Sequence, residues 1–316
     1  MARPFRFGVQ ISSLPSEHWE ERLQWLESAG FSTVLLPDHF SGQWDPLVTL
    51  AGAAGVTETL GLGTLVCDVD FRHPVVLAKM AATIQVLSKG RLELGIGAGW
   101  MESDYQTSGI PFDPIGVRIS RLEEALGILR SLWRNEVTDA AGNYFSIHGM
   151  PRAADLGELP APRLLVGGGG RRMLRLAGRH ADIVGINPTL SQGRITPETA
   201  RDLTADRVRE KIEWVEAGAD EAGRSLSEIE LNHLVFVLAL TENPQPIREG
   251  IAQAFGMTPD QVTETPLALI GTPAEVRDRI EARREETGIS YIVIQGGDEA
   301  LLSQFADEIV QPLAGR

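Results

Sequence analysis

Cysteine is all but absent from this chain. Cys67 stands alone among 316 residues, so no intrachain disulfide can form. A lone thiol fits a reducing compartment, and the expected location is the cytoplasm. Lysine is almost as scarce: Lys79, Lys89 and Lys211 are the three, and arginine supplies the remaining positive charge. The formal net charge of −14 argues against nucleic acid as a partner, because phosphate backbones demand basic surface. An anionic ligand would have to be held locally, by arginine or backbone amides, against a repulsive global field. No apolar run approaches the ~18 residues of a membrane helix, so no membrane partner is expected. The opening Met-Ala-Arg-Pro-Phe-Arg-Phe-Gly has no apolar stretch of the secretory kind. The six histidines are scattered, without His-x-x-x-His or His-Glu-x-x-His, and no metal site is predicted. A Gly-x-Ser-x-Gly elbow and a Walker loop are also missing.

What is present is an alternation of short apolar runs with amphipathic segments. Phe5, Phe7, Val9 and Ile11 alternate with polar residues or glycine as a first strand, and Trp19, Leu23 and Leu26 follow at helical spacing. Further strands are read at 34–36, 62–66, 92–96, 164–166, 183–186, 229–240 and 289–294. Helices are read at 46–59, 74–88, 119–133, from 171, at 205–222, 246–255, from Thr272 and at 300–310, with a hairpin at 137–147. Extra material falls at 100–114, 137–162, 188–203 and 242–267. Eight βα units without a low-complexity linker predict one (β/α)8 TIM barrel over residues 1–316, with inserted loops at its C-terminal face. A doubly wound open sheet is the alternative.

Chemistry concentrates where strands end. Thr33-Val-Leu-Leu-Pro37 runs into Asp38-His39, and Pro37 stops the ladder so that the acid–imidazole pair stands at the strand's C-terminal edge. That edge carries the ligand in parallel βα folds, and histidine changes protonation near neutral pH. A turn-capping aspartate with a surface histidine is the competing reading. Trp44 shares this loop and either walls the same cavity or staples the next helix. Gly167-Gly168-Gly169-Gly170 follows a strand and opens a helix, an arrangement whose free amides suit a phosphate. Arg171 and Arg172 add charge there or point to solvent. Gly95-Ile96-Gly97-Ala98-Gly99-Trp100 leaves room for a flat ligand, or forms a compact loop under a packed tryptophan. Asp68 lies just past a strand end, with Arg72 near enough in sequence to neutralise it, and His73 precedes Pro74 at a helix start.

In order and spacing, Pro37-Asp38-His39-Phe40, Gly63-Thr64-Leu65-Val66 with Arg72-His73-Pro74, the segment from Arg91 to Trp100, Val166 to Arg171, and Ala181 to Asn187 resemble the luciferase-like family of flavin- and deazaflavin-dependent oxidoreductases. An Asp-His pair with a nearby tryptophan is similar to the branch using coenzyme F420. The resemblance implies a homodimeric barrel with His39 and Asp38 at the redox edge of the cofactor ring. It implies a non-proline cis peptide at Leu65–Val66 behind the ring, and a cofactor phosphate on Gly167, Gly168, Gly169 and Gly170. Trp44, Asp68, Gly97 and Trp100 complete the expected cofactor-binding set. The implied reaction is hydride transfer between F420 and a small organic substrate, with His39 as acid/base and Asp38 orienting it or touching the ring. FMN with oxygen, giving a monooxygenase, is the first alternative, and a non-catalytic flavin-binding barrel the second. Some deazaflavin relatives carry a glutamate where this chain has Trp100, and Glu102 is the nearest carboxylate in sequence.

Overall fold

The computed structural model describes residues 3–189, 196, 198–199, 202–296 and 298–316. Eight parallel strands close on themselves around the chain. They are β1 (Arg6–Gln10), β2 (Thr33–Leu36), β3 (Gly61–Thr64) continued by β4 (Cys67–Asp68), β5 (Leu92–Gly97), β8 (Arg163–Gly168), β9 (Ile183–Ile186), β10 (Glu230–Val235) and β13 (Tyr291–Gln295). Each pairs with the next in that order, β3 reaches β5 directly, and β13 returns to β1 with Phe7 beside Ile292. Helices α1 (Trp19–Ser28), α2 (Pro46–Val56), α3 (Pro74–Leu87), α4 (Glu102–Ser108), α5 (Ile115–Arg134) and α6 (Arg171–His180) are joined by later helices around the outside. The (β/α)8 barrel is therefore the fold, as the strand count predicts.

Local chemistry sets the element ends. Asp45 accepts the amides of Leu47 and Val48 ahead of Pro46, and Thr272 with Glu275 forms a reciprocal capping box ahead of Pro273. His73 is itself the N-cap of α3, accepting the Val75 amide. The helix expected over 46–59 ends at Val56, because the Arg91 guanidinium takes the carbonyls of Ala54, Thr57 and Leu60.

Two apolar layers fill the molecule. The larger lies between barrel and helices, and a smaller one, built on Leu35, Leu165, Ile183, Tyr291 and Val293, fills the barrel's centre. Below the latter, a charged floor seals the N-terminal end. Arg6 binds Glu230 at 2.6 Å and Glu93 at 2.7 Å, Arg163 reaches Glu230 at 2.7 Å, and the Tyr291 hydroxyl donates to Glu93. Burial alone would raise the Glu230 carboxyl, but Arg6 and Arg163 outweigh it and hold it below the ordinary range.

Three segments depart from the sequence reading. The run at 229–240 is two strands, since β11 (Val237–Leu240) leaves the barrel and pairs with β12 (Ala268–Gly271). The Phe236 and Val237 amides both bond the Leu267 carbonyl, which diverts the chain; a continuous apolar run hides such a break. Helices Gln245–Phe255 and Pro259–Glu264 fill the excursion over a satellite core of Ala252, Val262, Ala268 and Ile270. The insertion at 100–114 contains α4, and the hairpin is β6 (Val137–Ala141) with β7 (Ser146–Pro151). Most of the insertion at 188–203 lies outside the described residues.

Candidate active site

The C-terminal mouth of the barrel collects most of the residues singled out in the sequence. His39, just past β2, is largely buried and bonds Asp104 of α4 through Nδ1 at 2.6 Å. A carboxylate only accepts, so Nδ1 carries the proton and Nε2 is the basic nitrogen. Among the described residues Nε2 has no hydrogen-bond partner. The Trp100 indole meets the imidazole edge to face, centroids 5.8 Å apart. His39 is thus fixed by a carboxylate on one side and an aromatic wall on another.

Asp38 does not orient His39. Its carboxylate is clamped by Arg72, at 2.5 and 3.1 Å, and accepts the Asp68 amide. Arg72 also reaches Asp45 at 2.6 Å, so its partners are Asp38 and Asp45, and not Asp68 as its place in the sequence suggests. The group that sequence reasoning missed is Asp104, four residues beyond Trp100, whereas Glu102 is exposed and bonds Gln106.

Asp68 ends β4 beside Gly97 and is buried. Its Oδ2 accepts the Tyr105 hydroxyl at 2.6 Å, and its Oδ1 accepts the Asp70 amide. Tyr105 also donates toward Asp70, which Arg121 neutralises at 2.5 Å. Burial pushes the Asp68 carboxyl up to about 6, against the pull of the Tyr105 hydrogen bond. A Cβ at Gly99, whose φ is +72°, would fall 1.8 Å from the Tyr105 oxygen, so glycine is what lets this network reach the rim.

The peptide between Leu65 and Val66 is cis. Both side chains pack on the inner cluster, and the Leu65 carbonyl accepts from Gln10 at 2.8 Å. Gly95 and Gly97 make this possible, because Cβ atoms there would strike the Thr64 carbonyl at 1.9 Å and the Val66 side chain at 2.8 Å. Trp44 lines a small cleft together with Ile11, Leu14 and Leu36 at the ends of β1 and β2, with 42% of its surface exposed.

Across the mouth, Gly167 and Gly168 finish β8, and Gly170 is the N-cap of α6 with no side chain capping the helix. A Cβ at Gly169 would lie 2.2 Å from the Pro188 backbone, whereas a Cβ at Gly170 would meet nothing within 4 Å among the described residues. The first amides of α6 are capped by no side chain among the described residues, a fit for a phosphate. Arg172 turns away to Gly116 and Ser120 of α5, and Arg171 is exposed. Of the other histidines, His18 and His148 are exposed, His180 is part-buried, and His233 is packed in the interior. Among the described residues no cluster of metal-ligating side chains occurs.

The family model described as "Luciferase-like monooxygenase" matches residues 4–261. The chain belongs to this family. It is similar to a phthiodiolone/phenolphthiodiolone dimycocerosates ketoreductase of Mycobacterium tuberculosis, at 29% identity over 86% of this chain and 78% of that protein. An F420-dependent glucose-6-phosphate dehydrogenase of Microbacterium testaceum is 31% identical over 67% of each. In structure it is similar to the coenzyme F420 dependent tetrahydromethanopterin reductase of Methanopyrus kandleri, with a TM-score of 0.75, 19% identity and coverage of 98% and 99%. The chain is a luciferase-like oxidoreductase. No helix among the described residues is long and apolar enough to cross a membrane.

Proposed function

We propose that this oxidoreductase binds coenzyme F420 in the barrel mouth and transfers a hydride between it and a small organic substrate. The observation that carries the reading is the His39–Asp104 pair, a tautomer-fixed imidazole facing the same mouth as an uncapped, glycine-opened helix N-terminus. The F420-dependent dehydrogenase among its relatives supports the choice of cofactor. A bound deazaflavin supplies two-electron hydride chemistry. The chain's own groups supply the rest.

Amides at Gly170 and the first turn of α6 hold the phosphate, and the Leu65–Val66 peptide, Gly97 and Trp100 line the ring's side of the mouth. His39 takes or gives the substrate's proton at Nε2, while Asp104 keeps Nδ1 protonated and stabilises the imidazolium. Asp38 joins the end of β2 to β4 by accepting the Asp68 amide, shares Arg72 with Asp45, and sets the loop on which His39 stands. Asp68 and Trp44 border the ligand.

Reduced FMN reacting with oxygen is the second reading, favoured by the family's monooxygenase members. Titration of the purified protein with the deazaflavin and with FMN, followed by fluorescence, separates the two; tight FMN binding with no response to the deazaflavin rejects the first. Residues 1–316 act as one domain in this proposal, in the cytoplasm, and with a second copy as partner. The outward faces of α2 and α3 support the dimer: Val48, Val76, Val86 and Leu87 are exposed, and Lys79 is the one charge on both helices. A sedimentation run giving a monomer at micromolar concentration rejects it.

A further inference from the structure

Lysine is scarce in this chain, yet one of the three is completely buried. Lys211, on the helix Ala205–Glu221, has no exposed side-chain surface and stands behind the glycine turn rather than in front of it. Its Nζ donates to the Gly169 carbonyl at 2.5 Å and to Asp202 at 2.7 Å, with the Thr189 hydroxyl at 3.5 Å. The same Asp202 oxygen accepts the Thr189 amide at 2.8 Å. One ammonium therefore joins the loop after β8, the loop after β9 and a helix.

The surrounding backbone is packed to match. Gly169 lies so close to Pro188 and Thr189 that no Cβ fits, and α6 meets the helix Ala205–Glu221 backbone to backbone. Cβ atoms at Gly178 and Gly218 would lie 2.1 and 2.0 Å from the carbonyls of Val215 and Arg175. Burying a lysine is costly before its partners compensate. A well-packed apolar side chain would fill the volume without that cost, so stability alone is a poor reason for an ammonium here. What the ammonium does that an apolar group cannot is fix the direction of one peptide group. Holding the Gly169 carbonyl inward turns the next amide, that of Gly170, outward to the open side of the turn.

We propose that Lys211, with Asp202, is a positioning residue for the cofactor's phosphate. It orients the Gly169–Gly170 peptide so that the amides at the start of α6 converge on an anion that Lys211 itself does not touch. This rests on the glycine turn being the phosphate site.

The test uses Lys211→Met. The fold should survive it, since Asp202 keeps Arg207, at 2.8 and 3.0 Å, and the Thr189 amide. Affinity is measured for F420 and for its phosphate-free deazariboflavin chromophore, in wild type and variant, together with kcat at saturating cofactor. The expected result is a loss of tenfold or more for F420, a change under twofold for the phosphate-free chromophore, and kcat within about twofold. Lys211→Gln, which keeps an N–H donor for the Gly169 carbonyl, should recover most of the F420 affinity. An unchanged affinity ratio between the two forms in Lys211→Met overturns the proposal, as does an equal loss for both. If Lys211→Met does not fold, the same ratio in Lys211→Gln decides: a wild-type ratio supports the proposal, and a ratio collapsed to that of a protein without phosphate preference overturns it. If wild type itself binds both forms equally, the phosphate site is elsewhere and both readings fall.

Discussion

Gly170→Asp should make the protein more stable and at the same time deprive it of its cofactor. Gly170 is the N-cap of α6, with φ −86° and ψ 150°, angles that any residue adopts, and among the described residues nothing lies within 4 Å of where its Cβ would stand. Aspartate there can accept an amide of the first turn, worth a few tenths of a kcal/mol over glycine. Its charge at the positive end of the helix adds about 0.3–1 kcal/mol. Loss of glycine's freedom in the unfolded chain adds a similar amount. The folded state should gain about 1 kcal/mol. A phosphate seated on the same amides would then lie about 4 Å from a carboxylate, a repulsion of about 1–4 kcal/mol per pair of unit charges between the limits of water and protein surface. Since 1.4 kcal/mol is tenfold, cofactor affinity should fall by about fivefold at the weak limit and several hundredfold at the strong one. Gly170→Asn, an equally good cap without the charge, should keep affinity within about threefold. Urea denaturation of the apoprotein reads the first effect and fluorescence titration with F420 the second. A Gly170→Asp protein that is stabilised and binds the cofactor as tightly as wild type refutes the phosphate assignment, because the charge is then demonstrably in place and without effect.

His39→Ala should lower kcat by about 10²–10⁴-fold while cofactor affinity changes little, and Asp104→Asn should lower kcat by a smaller factor; equal turnover in either removes its role. Asp68, with its carboxyl raised to about 6 by burial, binds a proton in the folded state that the unfolded chain has released above about pH 4. Stability should therefore fall as pH rises from about 4 to 6, by about 3 kcal/mol at this site. Asp68→Asn should remove that slope in urea-melt series, since the Tyr105 hydroxyl can still donate to Asp70; an unchanged slope contradicts the assignment. Arg6→Met strips the floor of a cation shared by Glu93 and Glu230, and should cost about 3–5 kcal/mol at pH 7. Glu230 is held below its ordinary range, so the stability it contributes is present above about pH 4.5 and is lost as pH falls; the variant, which keeps Arg163, should show a weaker acid dependence.

The barrel was legible because each of its strands is a short apolar run followed by a helix signal, as in Val34–Leu36 followed by Asp45-Pro46. The cis peptide at Leu65–Val66 was expected from family likeness alone; nothing in the composition of two aliphatic residues marks it. Asp104 was not legible. Its helix is seven residues long, without apolar periodicity, and its partner is 65 residues away. Arg72 was misassigned for the same reason. Asp68 is four residues from it in sequence, but the end of β2 brings Asp38 closer in space. Nothing in the sequence around Lys211 marks it as buried; its enclosure appears only in the structure, where its side chain has no exposed surface.

The charged floor has a kinetic consequence. With Arg6, Arg163, Glu93, Glu230 and Tyr291 shutting one end of the barrel, ligands enter and leave through the other. A ring seated against the Leu65–Val66 peptide lies beneath whatever binds after it. On the proposed reading the substrate is expected to arrive second and its product to depart first, a compulsory order of binding. The product released first should then be a mixed inhibitor toward both substrate and cofactor, and the spent cofactor should compete with the fresh cofactor alone.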